Sequence, residues 1–228
     1  MKNRLYRLSL VALFAAALVA ATSMLTSQTT TYSFSGALLT EATPAGTYTI
    51  DPAHTTVGFT VRHLLINNVP GRFREFSGAI QYDPDKIGNS SVTFTAKAES
   101  IDTGIDPRDK HLRSPDFFNV AQYPEITFKS TKVEKKSATE FVAHGDFTMH
   151  GVTKQIAIPF TLYGLLKDPW GKTRLGIEGG LTINRQDYGI AYNNKLDNGG
   201  LVVGNDVKIH LLVEAVKQQP KTNPTANQ

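Results

Sequence analysis

The 228-residue chain contains no cysteine. That excludes disulfide staples, thiolate catalysis, Cys-ligated zinc and a lipid-modified N-terminal cysteine. The fold must hold by its core alone. Charge is also sparse: 19% of residues are Asp, Glu, Lys or Arg, with 24 basic against 20 acidic. The basic residues are scattered, and without a basic stripe nucleic-acid binding is discarded. No apolar run reaches the ~20 residues a spanning helix needs. There is no Gly-x-Ser-x-Gly elbow, no His-x-His strand pair and no i, i+4 pair among the six histidines, so neither a hydrolase nucleophile nor a metal site is legible locally. Neither a metal nor a cofactor is expected.

What is present begins with Lys2, Arg4 and Arg7 ahead of the mostly apolar run Leu8 to Ala21. That order is the one of a secretory signal peptide, with cleavage expected after Ala21. Losing three of 24 basic residues and no acidic ones leaves 21 against 20, so the basic pI is mostly the leader's. Residues 22–45 are rich in Ser, Thr, Ala and Gly and read as a flexible tether, Tyr32, Phe34, Leu38 and Leu39 being the exceptions. Residues 218–228, polar with two prolines, read as a disordered tail. Between them, residues 46–217 suffice for one domain with its own core.

Within that domain the dominant period is two. Val57, Phe59 and Val61 share one face, and Val92, Phe94 and Ala96 repeat the pattern. Further along, Phe141 to Met149, Ile156 to Leu162, Leu175 to Ile183 and Val207 to Val213 do the same. With Thr47 to Ile50, Phe73 to Tyr82 and Ile126 to Val133 there are about nine candidate strands. Each has one wet and one dry face, which fits a closed antiparallel barrel or a two-sheet sandwich. Mixing Phe with Ala or Gly on one face, as Phe94 with Ala96 and Ala98 or Phe141 with Ala143 and Gly145, leaves room for a cavity unless opposite strands fill it.

One segment breaks the period. Asp106-Pro107 reads as an N-cap and first helical residue, opening a short helix that ends by Pro115. On it Arg108, His111 and Leu112 share a face, and Asp109 can reach Arg113. The adjacent Phe117 and Phe118 would point to opposite sides if extended, one into the core and one over the mouth.

This segment, as Arg108-Asp109-x-His111-Leu112, then Asp116-Phe117-Phe118 and Tyr123-Pro124-x-Ile126-x-Phe128, resembles the YceI family of bacterial periplasmic lipid-binding proteins. The resemblance continues in Asp51-x-x-His54 with Val57-x-Phe59-x-Val61-x-His63, in Met149-His150-Gly151-Val152-Thr153-Lys154 and in Ile183-Asn184-Arg185-x-Asp187-Tyr188-Gly189. It spans roughly Gly46 to Lys217. It implies a lipocalin-like antiparallel barrel of about eight strands with a short helical insertion. It also implies a periplasmic location, a long isoprenoid or other amphiphilic lipid as the ligand, transient membrane contact, and homodimers.

The candidate ligand-binding residues are then of two kinds. Phe59, Phe94, Leu112, Phe117 and Phe118 would meet the tail. Arg108 and His111 would donate hydrogen bonds to the head group with Asp109 orienting one of them, and His63 and Arg185 are the next polar candidates. Two other readings stand beside this one. Arg108, Asp109 and His111 can simply pair and pin the helix, or His111 can serve as the acid/base of a hydrolase or isomerase acting on an apolar substrate. Ile183 to Gly189 reads chiefly as a strand end and turn held by Asn184 and Asp187.

Overall fold

The protein is described by a computed structural model over residues 44–193 and 202–219. The expected leader, the tether up to residue 43 and the tail from residue 220 lie outside the described residues.

Alternation makes strands because a pleated backbone sends successive side chains to opposite faces. From Phe141 to Met149 every second residue is buried and the others are half-buried. Among the described residues the strands are β1 (Gly46–Ile50), β2 (Thr56–His63), β3 (Asn67–Phe73), β4 (Phe76–Tyr82), β5 (Ser91–Lys97), β6 (Ile101–Asp102), β7 (Glu125–Lys135), β8 (Glu140–Met149), β9 (Val152–Lys167), β10 (Thr173–Asn184) and β11 (Val203–Lys217). All pairings are antiparallel, in the order β1-β4-β5-β7-β8-β9-β10-β11-β2-β3-β6, and β1 also pairs with β11. The sheet therefore closes on itself.

The strands β1 and β2 run along the same neighbour, with Ile50 opposite Ala215 and Thr56 opposite Leu212. They form one bent stave, as do β3 with β4 and β5 with β6. The closed antiparallel barrel thus has eight staves and one short helix, α1 (Asp106–Arg113). The sandwich that the period left open is not formed.

Register defines two ends. The upper end carries the β2–β3 hairpin, the segment from α1 to β7, the β8–β9 turn and the β10–β11 connection. The lower end carries the β4–β5, β7–β8 and β9–β10 connections.

Three local features differ from the sequence reading. The period missed β3, because Asn67-Asn68 and Pro70-Gly71 carry turn chemistry inside a strand. The hairpin before it turns at Leu64 (φ 50°) and Leu65 (φ 64°), with Ile66 N–H donating to His63 O at 3.1 Å. Helix α1 begins one residue early: Ile105 holds the capping position, its carbonyl accepting from Asp109 N–H, and Asp106 and Pro107 are its first residues.

Candidate ligand cavity and its charged end

The lower end is closely packed, leaving a small cavity of about 20 Å³. Tyr48, Ile80, Val133, Phe141, Leu162 and Leu175 form a buried cluster, with Phe141 stacked on Phe160 at 5.5 Å. The Tyr48 hydroxyl donates to Pro44 O at 2.8 Å, and burial, with Tyr82 nearby, pushes its phenol up to about 12. On the outside Arg174 gathers three carboxylates: Nε donates to Asp168 and Nη1 to Asp51 and Glu214. His54 bonds Asp51 at 3.0 Å and holds its carboxyl below the usual range, helped by Ala53 N–H and Arg174 and opposed by burial. Burial pushes Asp168 upward, but Arg174 and the N–H groups of Lys172 and Trp170 outweigh it and leave the carboxyl lowered. The carboxylates of Asp51 and Glu214 with His54 could face one cation, but the Arg174 guanidinium already takes up both acids.

Above this plug the barrel is hollow. A cavity of about 220 Å³ runs between the inward faces of the staves. Phe59, Phe94, Leu112, Phe117 and Phe118 all stand on its wall. Room comes from pairing large with small residues: Phe59 lies opposite Gly71, whose absent Cβ would sit 2.2 Å from the Phe59 ring. Ala96 and Ala143 are also on the wall. Gly145 works differently, since a Cβ there would strike Lys129 O at 2.3 Å, beside the register shift in β7; it admits backbone and adds no lumen.

Phe117 and Phe118 both face inward because they lie in a turn, where extended alternation does not apply. Phe118 meets Phe73 edge-on at 5.7 Å, and Phe117 packs on Tyr192 at 4.9 Å. Phe117, Phe118 and Ile190 line the cavity, with Tyr192 behind Phe117.

The polar residues of α1 are not on that wall. Arg108 donates from Nε to Thr103 Oγ1 (2.7 Å) and from Nη2 to Thr103 O (2.8 Å). Asp109 is buried and accepts from Thr103 Oγ1 and N–H, so Thr103 joins the two and ties the helix to the end of β6. Arg113, which the spacing paired with Asp109, instead donates to Glu99 O and Ile101 O. His111 Nε2 bonds Asp116 at 2.8 Å, its ring packed on the outer side of Phe117 and Tyr192. His63 closes the end of β2 opposite Asn67 and Val203 and is also off the wall. Arg108, Asp109 and Arg113 thus turn back to the chain that precedes the helix, and His111 turns to the chain that follows it.

Arg185 is the only charged wall residue among the described residues, and it is 4% exposed. It opens a turn of 3₁₀-helix, Arg185–Tyr188, that Asn184 caps by accepting from Gln186 N–H. The expected role of Asn184 is thus present, whereas Asp187 faces outward to Lys154. The guanidinium donates to Ile190 O at 2.8 Å and Gly204 O at 3.0 Å, and more weakly to Asn205 Oδ1 at 3.3 Å and Val203 O at 3.5 Å. All four acceptors are neutral. No carboxylate of the described residues pairs with it, and burial pulls its guanidinium below its usual value. An arginine stays protonated in a protein, so a positive charge with no counter-ion among the described residues sits at the upper end of an apolar chamber.

A closed antiparallel barrel with an apolar cavity and a buried arginine at one end, among the described residues, is an architecture able to enclose an apolar guest. The chain belongs to the YceI-like domain family, whose model matches residues 48–215. A UPF0312 protein from Shewanella sp. (strain ANA-3) is 40% identical over 179 residues, covering 78% of this chain and 91% of that one. The crystal structure of a Campylobacter jejuni YceI protein is 32% identical with a TM-score of 0.60, covering 74% of this chain and 96% of that one. A polyisoprenoid binding domain from Saccharophagus degradans shares the fold at 17% identity and a TM-score of 0.58, over 77% of this chain and 100% of that domain.

Proposed function

We propose that the protein is a non-enzymatic, exported carrier or store for a long isoprenoid or similar single-chain amphiphile, held with the head-group end of its tail in the cavity and its head group toward Arg185. The observation that carries this is the hollow interior. Leaving about 220 Å³ unpacked forgoes on the order of 5 kcal/mol, comparable with the whole net stability of many domains. Apolar cavities of about 150 Å³ already stay dry and take up small apolar guests. Water is therefore a poor filler here, and an apolar chain is a good one.

Tail burial does not by itself select the ligand. Drying a methylene is worth ~0.8 kcal/mol against water, but a lipid's alternative home is a bilayer, where its tail is already dry. Selectivity falls to the shape of the chamber and to the head group. The uncompensated Arg185 favours a head with a carbonyl, phosphate or carboxylate oxygen. The YceI-like membership and the polyisoprenoid-binding Saccharophagus degradans neighbour support the same class of guest. A hydrolase or isomerase reading would need His111 to meet the guest, and its ring lies outside the wall.

Native mass spectrometry and lipid extraction of protein purified without detergent test the proposal. A stoichiometric bound amphiphile is the expected result. Protein that carries none and takes up no prenyl lipid from a mixed-lipid pool would overturn it.

A further inference from the structure

The β2–β3 hairpin is built against two ordinary preferences at once. The three-residue loop between His63 and Asn67 contains a β-turn, His63 to Ile66, with φ > 0 at both central positions, and such a turn calls for Asn-Gly or Asp-Gly because larger side chains are strained there. Here the positions are Leu64 and Leu65. The same turn then exposes its apolar atoms, Leu65 being 60% and Ile66 81% exposed. Strain and exposure together, at one tip, point to a use outside the folded chain.

The tip's place suggests the use. Leu64 N–H donates to Val202 O at 2.9 Å, and His63 lies opposite Val203. Val203 stands on the cavity wall, and its carbonyl also receives Arg185. The tip thus projects from the same end as the charged part of the chamber. Beside it stands one basic residue, Arg62, opposite Asn68 in the register and exposed with no acidic partner among the described residues. Two adjacent aliphatic side chains on a narrow hairpin are too small for a stable protein interface, which needs several hundred Å² per partner. They suit shallow insertion between lipid head groups, with Arg62 meeting an anionic phosphate.

We propose that Leu65 and Ile66 dock the barrel on an anionic bilayer surface, upper end first, so that the Arg185 end of the cavity faces the membrane. The choice of occupant rests on the carrier reading, since a lipid cargo resides in a bilayer. Weak anchoring by two side chains fits a protein that must also leave.

The test is flotation of the purified full-length mature protein with protein-free vesicles of phosphatidylethanolamine and phosphatidylglycerol, and with phosphatidylcholine alone. The wild type should float with the anionic vesicles, and less with the neutral ones. The double variant Leu64→Asn/Leu65→Gly restores the preferred turn residues, and a triple variant adds Ile66→Ser. Both should melt at or above the wild-type temperature, yet lose about tenfold or more of vesicle partition. Arg62→Gln should reduce only the anionic preference. Wild type that ignores vesicles would overturn the inference in favour of a protein partner, and variants that float undiminished would overturn it too. Variants that lose binding only in step with stability would make the tip a folding element. Cargo is measured separately by extraction. Tip-dependent flotation without cargo removes the carrier reading alone, and cargo with tip-independent flotation removes the docking alone.

Discussion

At the lower end of the barrel Tyr48 and Leu175 are fully enclosed and Arg174 ties three segments together. At the upper end the same eight staves surround empty space, and the one buried cation, Arg185, has no carboxylate partner among the described residues. The backbone does not distinguish the two ends. Side-chain size and charge balance do. Stacked Phe141 and Phe160 close the barrel below, whereas Phe59 over Gly71, with Ala96 and Ala143 nearby, keeps it open above. Stability is thus concentrated in one half and capacity in the other.

The largest expected effect breaks that division directly. Leu175→Ala opens a void in the filled end and should cost about 2–5 kcal/mol in urea unfolding. Leu181→Ala on the cavity wall should cost clearly less, because one side of Leu181 already lacks packing partners. Equal losses would mean the chamber is as tightly supported as the plug.

Next in size is the head-group contact. Arg185→Gln removes a charge-assisted hydrogen bond worth roughly 1.5–3 kcal/mol, about ten- to a hundredfold in affinity for oxygen-headed lipids. Competition between lipids of equal tail and different head group measures it, with Arg185→Lys keeping the charge as the companion variant. Arg108→Ala and His111→Ala should leave the ranking of lipids unchanged, Arg108→Ala lowering the melting temperature through loss of its bonds to Thr103.

Crowding the chamber should act without regard to head group. Phe94→Trp, or Gly71→Ala through displacement of the Phe59 ring, should lower occupancy for every lipid by severalfold. Extraction yields at matched melting temperature decide it.

The smallest effect concerns acid. Asp51 and Asp168 sit below the ordinary carboxylate value of 3.8 when folded. Their contribution is therefore complete above about pH 4 and is lost as pH falls through the lowered values. In Arg174→Met those carboxyls move back up. The variant should melt a few degrees lower at neutral pH and show a shallower further loss in acid than wild type.

The alternation of Phe141 to Met149 and its counterparts made the strands legible, because burial on one face repeats in the sequence itself. The break at Asp106-Pro107 did the same for the helix, one residue out of place. What stayed hidden depended on contacts between distant segments. Arg108 and His111 looked like a polar mouth because their spacing fits one helix face, with Asp109 to orient one of them, but Thr103, a few residues upstream, takes Arg108 and Asp109, and Asp116 takes His111. Arg185 stood in a motif that reads as a turn, and nothing in Asn184-Arg185-Gln186 shows that its acceptors would be the carbonyls of Ile190, Val203 and Gly204. The hairpin tip escaped because Leu64-Leu65-Ile66 carries no Gly, Asn, Asp or Pro to signal a turn, and only the backbone angles reveal one.

Closure of the ring by β11 against β1 and β2 has a consequence in time. Every other seam joins staves that are neighbours along the chain, whereas this one brings Ile50 to Ala215 across nearly the whole domain. Such a long-range pairing meets its entropy cost late. Until β11 is in place, the nascent barrel is an open sheet with two bare edges and an uncovered oily face. The chamber can first retain a guest when the last stave has zipped shut. On the proposed carrier role, loading would follow the completion of folding, and a molecule stalled before that point is an aggregation hazard instead of a leaky container.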